Sequence, residues 1–315
     1  MIMRRAAMLL AMLLIARTVC ALPVPERVEF PSLERNAAGD PVVIPALYFR
    51  PANTASGARL PVVVALHGCY GMFDTRAGRE AELSVGMATR LQRLLDDGYA
   101  VLLPDSFNPR GRREVCTIRR GEPTVSVAAR RLDALGALAY LASAPGADPS
   151  RIALVGWSHG GSTTLAAINV RDPKVDAFRN VPGAPLFFRA AIAFYPGCAA
   201  ARDAGMRWQP GAPTRIYIGD LDDWTPAQAC VQLGEAMRAR DADVAVTVYP
   251  DAQHAFDAPG SRVIHLTDVP GGVHPGQGVH VGGQPAARAA ANEAVRDFLD
   301  LRMHNARFPA YWRLP

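Results

Sequence analysis

The chain has 315 residues, of which 50% are hydrophobic and 20% charged. That mixture can bury a sizeable core, and it excludes disorder, collagen and coiled coil as the dominant class. The formal net charge of +5 is weak and spread along the sequence, so it gives no electrostatic case for binding nucleic acid.

In chain order, the first segment is set apart from the fold. Arg4 and Arg5 precede an eleven-residue apolar run, Ala6 to Ala16, which is followed by Arg17-Thr18-Val19-Cys20-Ala21. A positive start, a short apolar stretch and a small-residue exit read as a secretory signal peptide over residues 1–21. The run is too short to span a bilayer, so no stable membrane insertion is expected after cleavage. Arg17 stands where lipid attachment through Cys20 would want a large apolar residue. Removing residues 1–21 takes away three arginines and no acid, which lowers the net charge from +5 to +2. An exported protein, periplasmic or secreted, is expected. Residues 22–315 read as one domain, because α/β folds often pass about 200 residues without splitting.

From Glu26 onward, strand-like and helix-like segments alternate. Val42 to Phe49 is extended, and Pro61 to Leu66 is a β-branched run that stops at His67-Gly68. Ala81 to Leu95 has helical spacing, and Tyr99 to Leu103 is strand-like and halts at Pro104-Asp105. The loop beyond carries the only dense basic patch, Arg110-Gly111-Arg112-Arg113 with Arg119 and Arg120 nearby. Val125 to Leu141 is amphipathic, Ile152 to Val155 is a short buried strand, and Gly161 to Val170 is helical. Ala190 to Tyr195, Arg215 to Ile218 and Val244 to Tyr249 supply three more strands. Helices are expected over Pro226 to Arg238 and Pro285 to Leu301. Continuous apolar strands separated by helices predict a mostly parallel sheet covered on both faces. In such sheets reactive groups collect at the carboxyl ends of strands. His67, Asp105, Ser158, Asp222 and His254 all fall just past a strand.

Gly156-Trp157-Ser158-His159-Gly160 follows a strand and opens a helix, which is the context the G-x-S-x-G turn of the α/β-hydrolase fold requires. The turn lifts Ser158 to a helix N-terminus, where orphan N–H groups can meet developing negative charge. A serine hydroxyl needs a base, and of the seven histidines His254 is placed for it, after the last main strand. His265, His274 and His280 are expected in a loop with no strand before them, and His67 as a structural residue. The acid must lie between serine and histidine, and Asp220, Asp222 and Asp223 compete for that role. The oxyanion donors are expected to be the backbone N–H groups of His159 and Cys69. Arg110, Tyr70 and Trp224 are candidate substrate-binding residues. For Arg110 the competing expectation is an ion pair with Asp105.

With these motifs the sequence resembles the dienelactone hydrolase family within the α/β-hydrolases. The matching pieces are VVVALHGCYG at 62–71, GYAVLLPDSFNPRG at 98–111, VGWSHGG at 155–161, IGDLDDWTP at 218–226 and YPDAQHAFD at 249–257. The resemblance implies an α/β-hydrolase fold. Its G-x-x-D-x-x-[VT]-P context selects Asp222 as the acid, and its H-x-F context selects His254. This chain has Ser158 where the founding enzymes carry a cysteine, and Gly68 where they carry an acid. Both departures point to ordinary ester chemistry. The expected activity is hydrolysis of a small carboxylic ester, a lactone included, through a Ser-His-Asp triad and an acyl-enzyme intermediate, with neither metal nor organic cofactor. The alternatives are a prolyl-peptidase-like serine peptidase and a catalytically silent secreted binding protein. Four cysteines follow residue 21, an even set in an exported chain, and none forms a C-x-x-C pair. Four cysteines allow three connectivities. Position favours Cys69–Cys116 and Cys198–Cys230, since each pair joins loops on the carboxyl edge of the sheet.

Overall fold

The computed structural model describes residues 22–52, 54–119, 121–180 and 186–304; the expected signal peptide and Arg120 lie outside them. Eight strands form one sheet in the order β1-β2-β4-β3-β5-β6-β7-β8. They are β1 (Glu26–Arg35), β2 (Pro41–Phe49), β3 (Leu60–Leu66), β4 (Ala100–Pro104), β5 (Ala147–Trp157), β6 (Ala190–Phe194), β7 (Thr214–Gly219) and β8 (Val244–Tyr249). The strands from β4 to β8 along that order run parallel, while β1 and β2 are antiparallel to their neighbours. Val62 to Leu66 are wholly buried in sequence, so both faces of the central strand are covered.

The described residues form seven α-helices around this sheet: α1 (Val85–Asp96), α2 (Val127–Ser143), α3 (His159–Ala167), α4 (Pro173–Arg179), α5 (Ala199–Ala204), α6 (Ala227–Arg238) and α7 (Pro285–Met303). This is the mostly parallel, helix-covered architecture that the motifs imply. None of the described helices is long and apolar enough to cross a membrane.

The structure departs from the sequence expectations in physically readable places. Helix α1 begins at Val85 rather than Ala81, because the Ser84 side chain accepts from the Met87 N–H and caps the first turn. Strand β1 lies outside the expected elements. It carries Pro31 and outward charges, the composition of an edge strand, and buries Phe30 and Ser32 on one face. The segment that reads as a loop around His265 and His280 folds as an antiparallel hairpin, β9 (Val263–Leu266) with β10 (Val279–Gly282). Its two four-residue strands are too short for a periodicity argument.

Candidate active site

Strand β5 ends at Trp157 and α3 begins at His159, so Ser158 alone makes the turn. It does so at φ +55°, a left-handed conformation that a non-glycine residue holds only where the surroundings enforce it. Its N–H donates to Phe194 O at 2.9 Å, and its carbonyl accepts from Ser162 N at 2.9 Å. The flanking glycines are required sterically. A Cβ on Gly160 would sit 2.1 Å from Leu66 O, and one on Gly156 would sit 2.2 Å from Gly160 O.

Three loops on the carboxyl edge of the sheet converge on this serine. Ser158 Oγ lies 2.9 Å from His254 Nε2, and His254 Nδ1 lies 2.8 Å from Asp222 Oδ2. A carboxylate facing Nδ1 puts the imidazole proton there and leaves Nε2 as the acceptor for the serine hydroxyl. Asp222 Oδ1 accepts from the Trp224 and Thr225 N–H groups at 3.0 and 2.7 Å. The Thr225 hydroxyl lies 3.0 Å from Asp222 Oδ2 and 3.0 Å from Tyr195 O, tying the acid loop to the end of β6. Both Asp222 and His254 are buried. The His254 ring sits between Tyr195 and Trp224, with centroids 4.6 and 4.8 Å away. Tyr195 in turn donates to Asp257, which holds Arg90 in a bidentate pair.

The competing acid, Asp223, points elsewhere. Its carboxylate accepts from the His280 backbone N–H at 2.9 Å and faces His280 Nδ1 at 2.7 Å. The hairpin is thereby fastened beside the site, and Gly282 N donates to His254 O at 3.0 Å. His67 is fully enclosed, with Nδ1 2.8 Å from Gly68 O and its ring edge-on to Phe107. Burial, reinforced by the Arg130 charge, holds its pKa well below the usual histidine range.

The two expected oxyanion groups are held on facing segments. Among the described residues, neither the His159 N–H nor the Cys69 N–H donates to another backbone carbonyl. The turn after β3 is pinned by Gly71 N to Gly68 O, by Val115 N to Cys69 O, and by a disulfide from Cys69 to Cys116. A second disulfide joins Cys198 to Cys230, with Cα atoms 5.0 Å apart against 4.9 Å in the first. Tyr70 and Trp224 meet edge to face at 6.5 Å, over a small apolar cluster of Cys69, Phe107, Val115, Cys116 and Val125. Burial pushes the Tyr70 hydroxyl up to about 12.

Arg110 corrects the expectations. Its five N–H groups go to Glu34, Asp133 and the Ser106 carbonyl, so every donor of the guanidinium is already engaged within the protein. The ion pair exists, but with Glu34 and Asp133 rather than with Asp105. Asp105 instead accepts from the Phe107 and Asn108 N–H groups and from the Asn108 amide, bracing the loop after β4. Sequence reasoning also missed Thr225, Tyr195 and Arg130. Thr225 alone had a signal, since it occupies the [VT] position of the acid motif. Among the described residues, no three His, Cys, Asp or Glu side chains gather as they would around a metal ion.

Residues 44–302 match the dienelactone hydrolase family. An Escherichia coli O157:H7 protein provisionally named a carboxymethylenebutenolidase is 25% identical over 228 residues, covering 68% of this chain and 73% of its own. A solved dienelactone hydrolase-like promiscuous phosphotriesterase from metagenomic libraries superposes with TM-score 0.60 at 20% identity, covering 90% of this chain and 99% of that one. Thermogutta terrifontis esterase 2, phosphoramylated by tabun, superposes with TM-score 0.57 at 18% identity, covering 90% of this chain and 96% of that one. At such identities the two structures speak for the α/β-hydrolase fold alone.

Proposed function

The chain belongs to the dienelactone hydrolase family, and from that premise we propose that it cleaves carboxylic esters through Ser158, His254 and Asp222. The observation that carries the proposal is the unbroken run of contacts from Ser158 Oγ to His254 to Asp222, with Ser158 strained at the mouth of α3. Ser158 Oγ attacks the ester carbonyl carbon while its proton passes to His254 Nε2. Asp222 fixes the tautomer and stabilises the resulting imidazolium. The tetrahedral oxyanion is received by the His159 and Cys69 N–H groups, each such donor being worth roughly 3 kcal/mol. Collapse expels the alcohol, which takes the proton from His254 and leaves an acyl-Ser158 ester. Water then repeats the sequence, activated by the same histidine, and releases the acid. Tyr70 and Trp224 offer apolar area for the ester's organic group.

The disulfides and the leader-like residues 1–21 support export to an oxidising compartment, where a small extracellular or periplasmic ester would be the substrate. The test sets a series of p-nitrophenyl esters against aminoacyl-anilides, with fluorophosphonate labelling of Ser158 alongside. Ester turnover with anilides inert supports the reading. Anilide turnover would favour the peptidase alternative, and absence of labelling would leave only a binding protein.

A further inference from the structure

Arg130 lies in the first turn of α2 and is fully buried. A buried guanidinium ordinarily sits on a carboxylate, because desolvating an unpaired charge costs several kcal/mol. Among the described residues no carboxylate comes within ion-pair distance of it; the nearby Asp133 is taken by Arg110, and Asp105 by the backbone of its own loop. Burial lowers its pKa to about 9, so the charge is retained at neutral pH.

Its two terminal nitrogens reach two places, while Nε is buried without a partner among the described residues. Nη1 lies 2.9 Å from His159 Nδ1, and Nη2 lies 2.9 Å from His67 O. Burial and the Arg130 charge together lower the His159 pKa to about 3, so that ring is neutral and Nδ1 is a lone-pair acceptor. The guanidinium rests on the Phe107 ring at 4.9 Å, and Phe107 also packs edge-on against the rings of both His67 and His159. His67 ends the approach to the Cys69 turn, and His159 directly follows the nucleophile. One side chain therefore reaches across the gap between the two segments that carry the expected oxyanion donors.

We propose that Arg130 is a positioning residue for oxyanion stabilisation, setting the separation of the Cys69 and His159 N–H groups and placing behind them a buried positive charge that no carboxylate among the described residues contacts directly. The inference rests on the ester-hydrolase reading above. A developing oxyanion would be the counter-charge that the resting protein withholds from this guanidinium, so Arg130 should act on the transition state more than on substrate binding.

The experiment compares wild type, Arg130→Met and Arg130→Lys on a p-nitrophenyl ester, with active sites counted by fluorophosphonate and folding checked by thermal melting. Binding of an aryl boronic acid, which forms a tetrahedral anionic adduct on serine, is measured alongside. Expected for Arg130→Met is a fall in kcat per active site of roughly 10- to 100-fold with KM within about twofold. Boronate affinity should fall in parallel, and Arg130→Lys should lie between. Should the Arg130 variants not fold, His159→Leu removes the acceptor and keeps the backbone N–H. It should show the same split, with His159→Gln recovering part of the loss. Unchanged kcat and boronate affinity in folded variants, with wild type active, would overturn the positioning role alone. Wild type inert to both ester and fluorophosphonate would overturn the hydrolase reading and this inference together.

Discussion

At the scale of single residues, the site depends on atoms that have nowhere else to go. Asp222 and Asp223 are chemically identical neighbours, yet one carboxylate faces His254 and the other faces His280. Asp222→Asn should therefore lower kcat about 10,000-fold by presenting the wrong hydrogen-bonding partner to Nδ1. Asp223→Asn should cost activity only slightly and mainly loosen the hairpin; the two kcat values decide the matter directly. Ser158→Ala and His254→Ala should each abolish most turnover, and the double variant should be little worse than either, because such groups act as a unit. Gly160→Ala makes a different point. Its new Cβ would press within 2.1 Å of Leu66 O, a backbone atom of the central strand that cannot step aside. A loss of about 3 kcal/mol or more in stability is expected, read as a lowered melting temperature together with lost labelling of Ser158.

At the scale of elements, the sequence was legible wherever apolar runs were long. The central strands β3, β5 and β6 are buried on both faces, and composition announces such strands. The serine turn was legible too, because a tight strand-to-helix connection admits only glycine at two of its places. Strand β1 was not, since a half-exposed edge alternates charge with apolar residues and even tolerates proline. Arg130 escaped notice for a related reason: within an amphipathic helix its charge reads as solvated, and only the packed structure turns it inward. The disulfides offer a prediction at this scale. They close loops of 47 and 32 residues, worth about 4 kcal/mol each in the chain-entropy account. Replacing either pair by serine should lower stability by a similar amount under equilibrium unfolding. Only Cys69→Ser/Cys116→Ser should also lower kcat per folded molecule markedly, because that bridge holds the turn bearing the Cys69 N–H. Equal kcat in the two double variants would count against that role for the turn.

At the scale of the whole molecule, stability should depend on acidity through two enclosed imidazoles. His67 and His159 both have folded pKa values below the unfolded histidine value of 6.5. As the pH falls below about 6.5 the unfolded chain binds protons that the folded one refuses, so stability declines with acidity, by at most about 1.4 kcal/mol per pH unit for each group. Melting temperature should fall steadily between pH 6.5 and 4, and His159→Gln should flatten part of that slope. A flat profile in wild type would mean that the rings are protonated in place. The two bridges also differ from a tangled network in their order along the chain. Cys69 bonds the next cysteine to follow it, and Cys198 does the same. Once residues 1–21, with Cys20, are removed, a chain emerging amino-terminus first into an oxidant would meet each correct partner before any wrong one is available. On the export reading, its pairing would therefore run on a simple thiol oxidase, with no isomerase needed to shuffle mispaired intermediates.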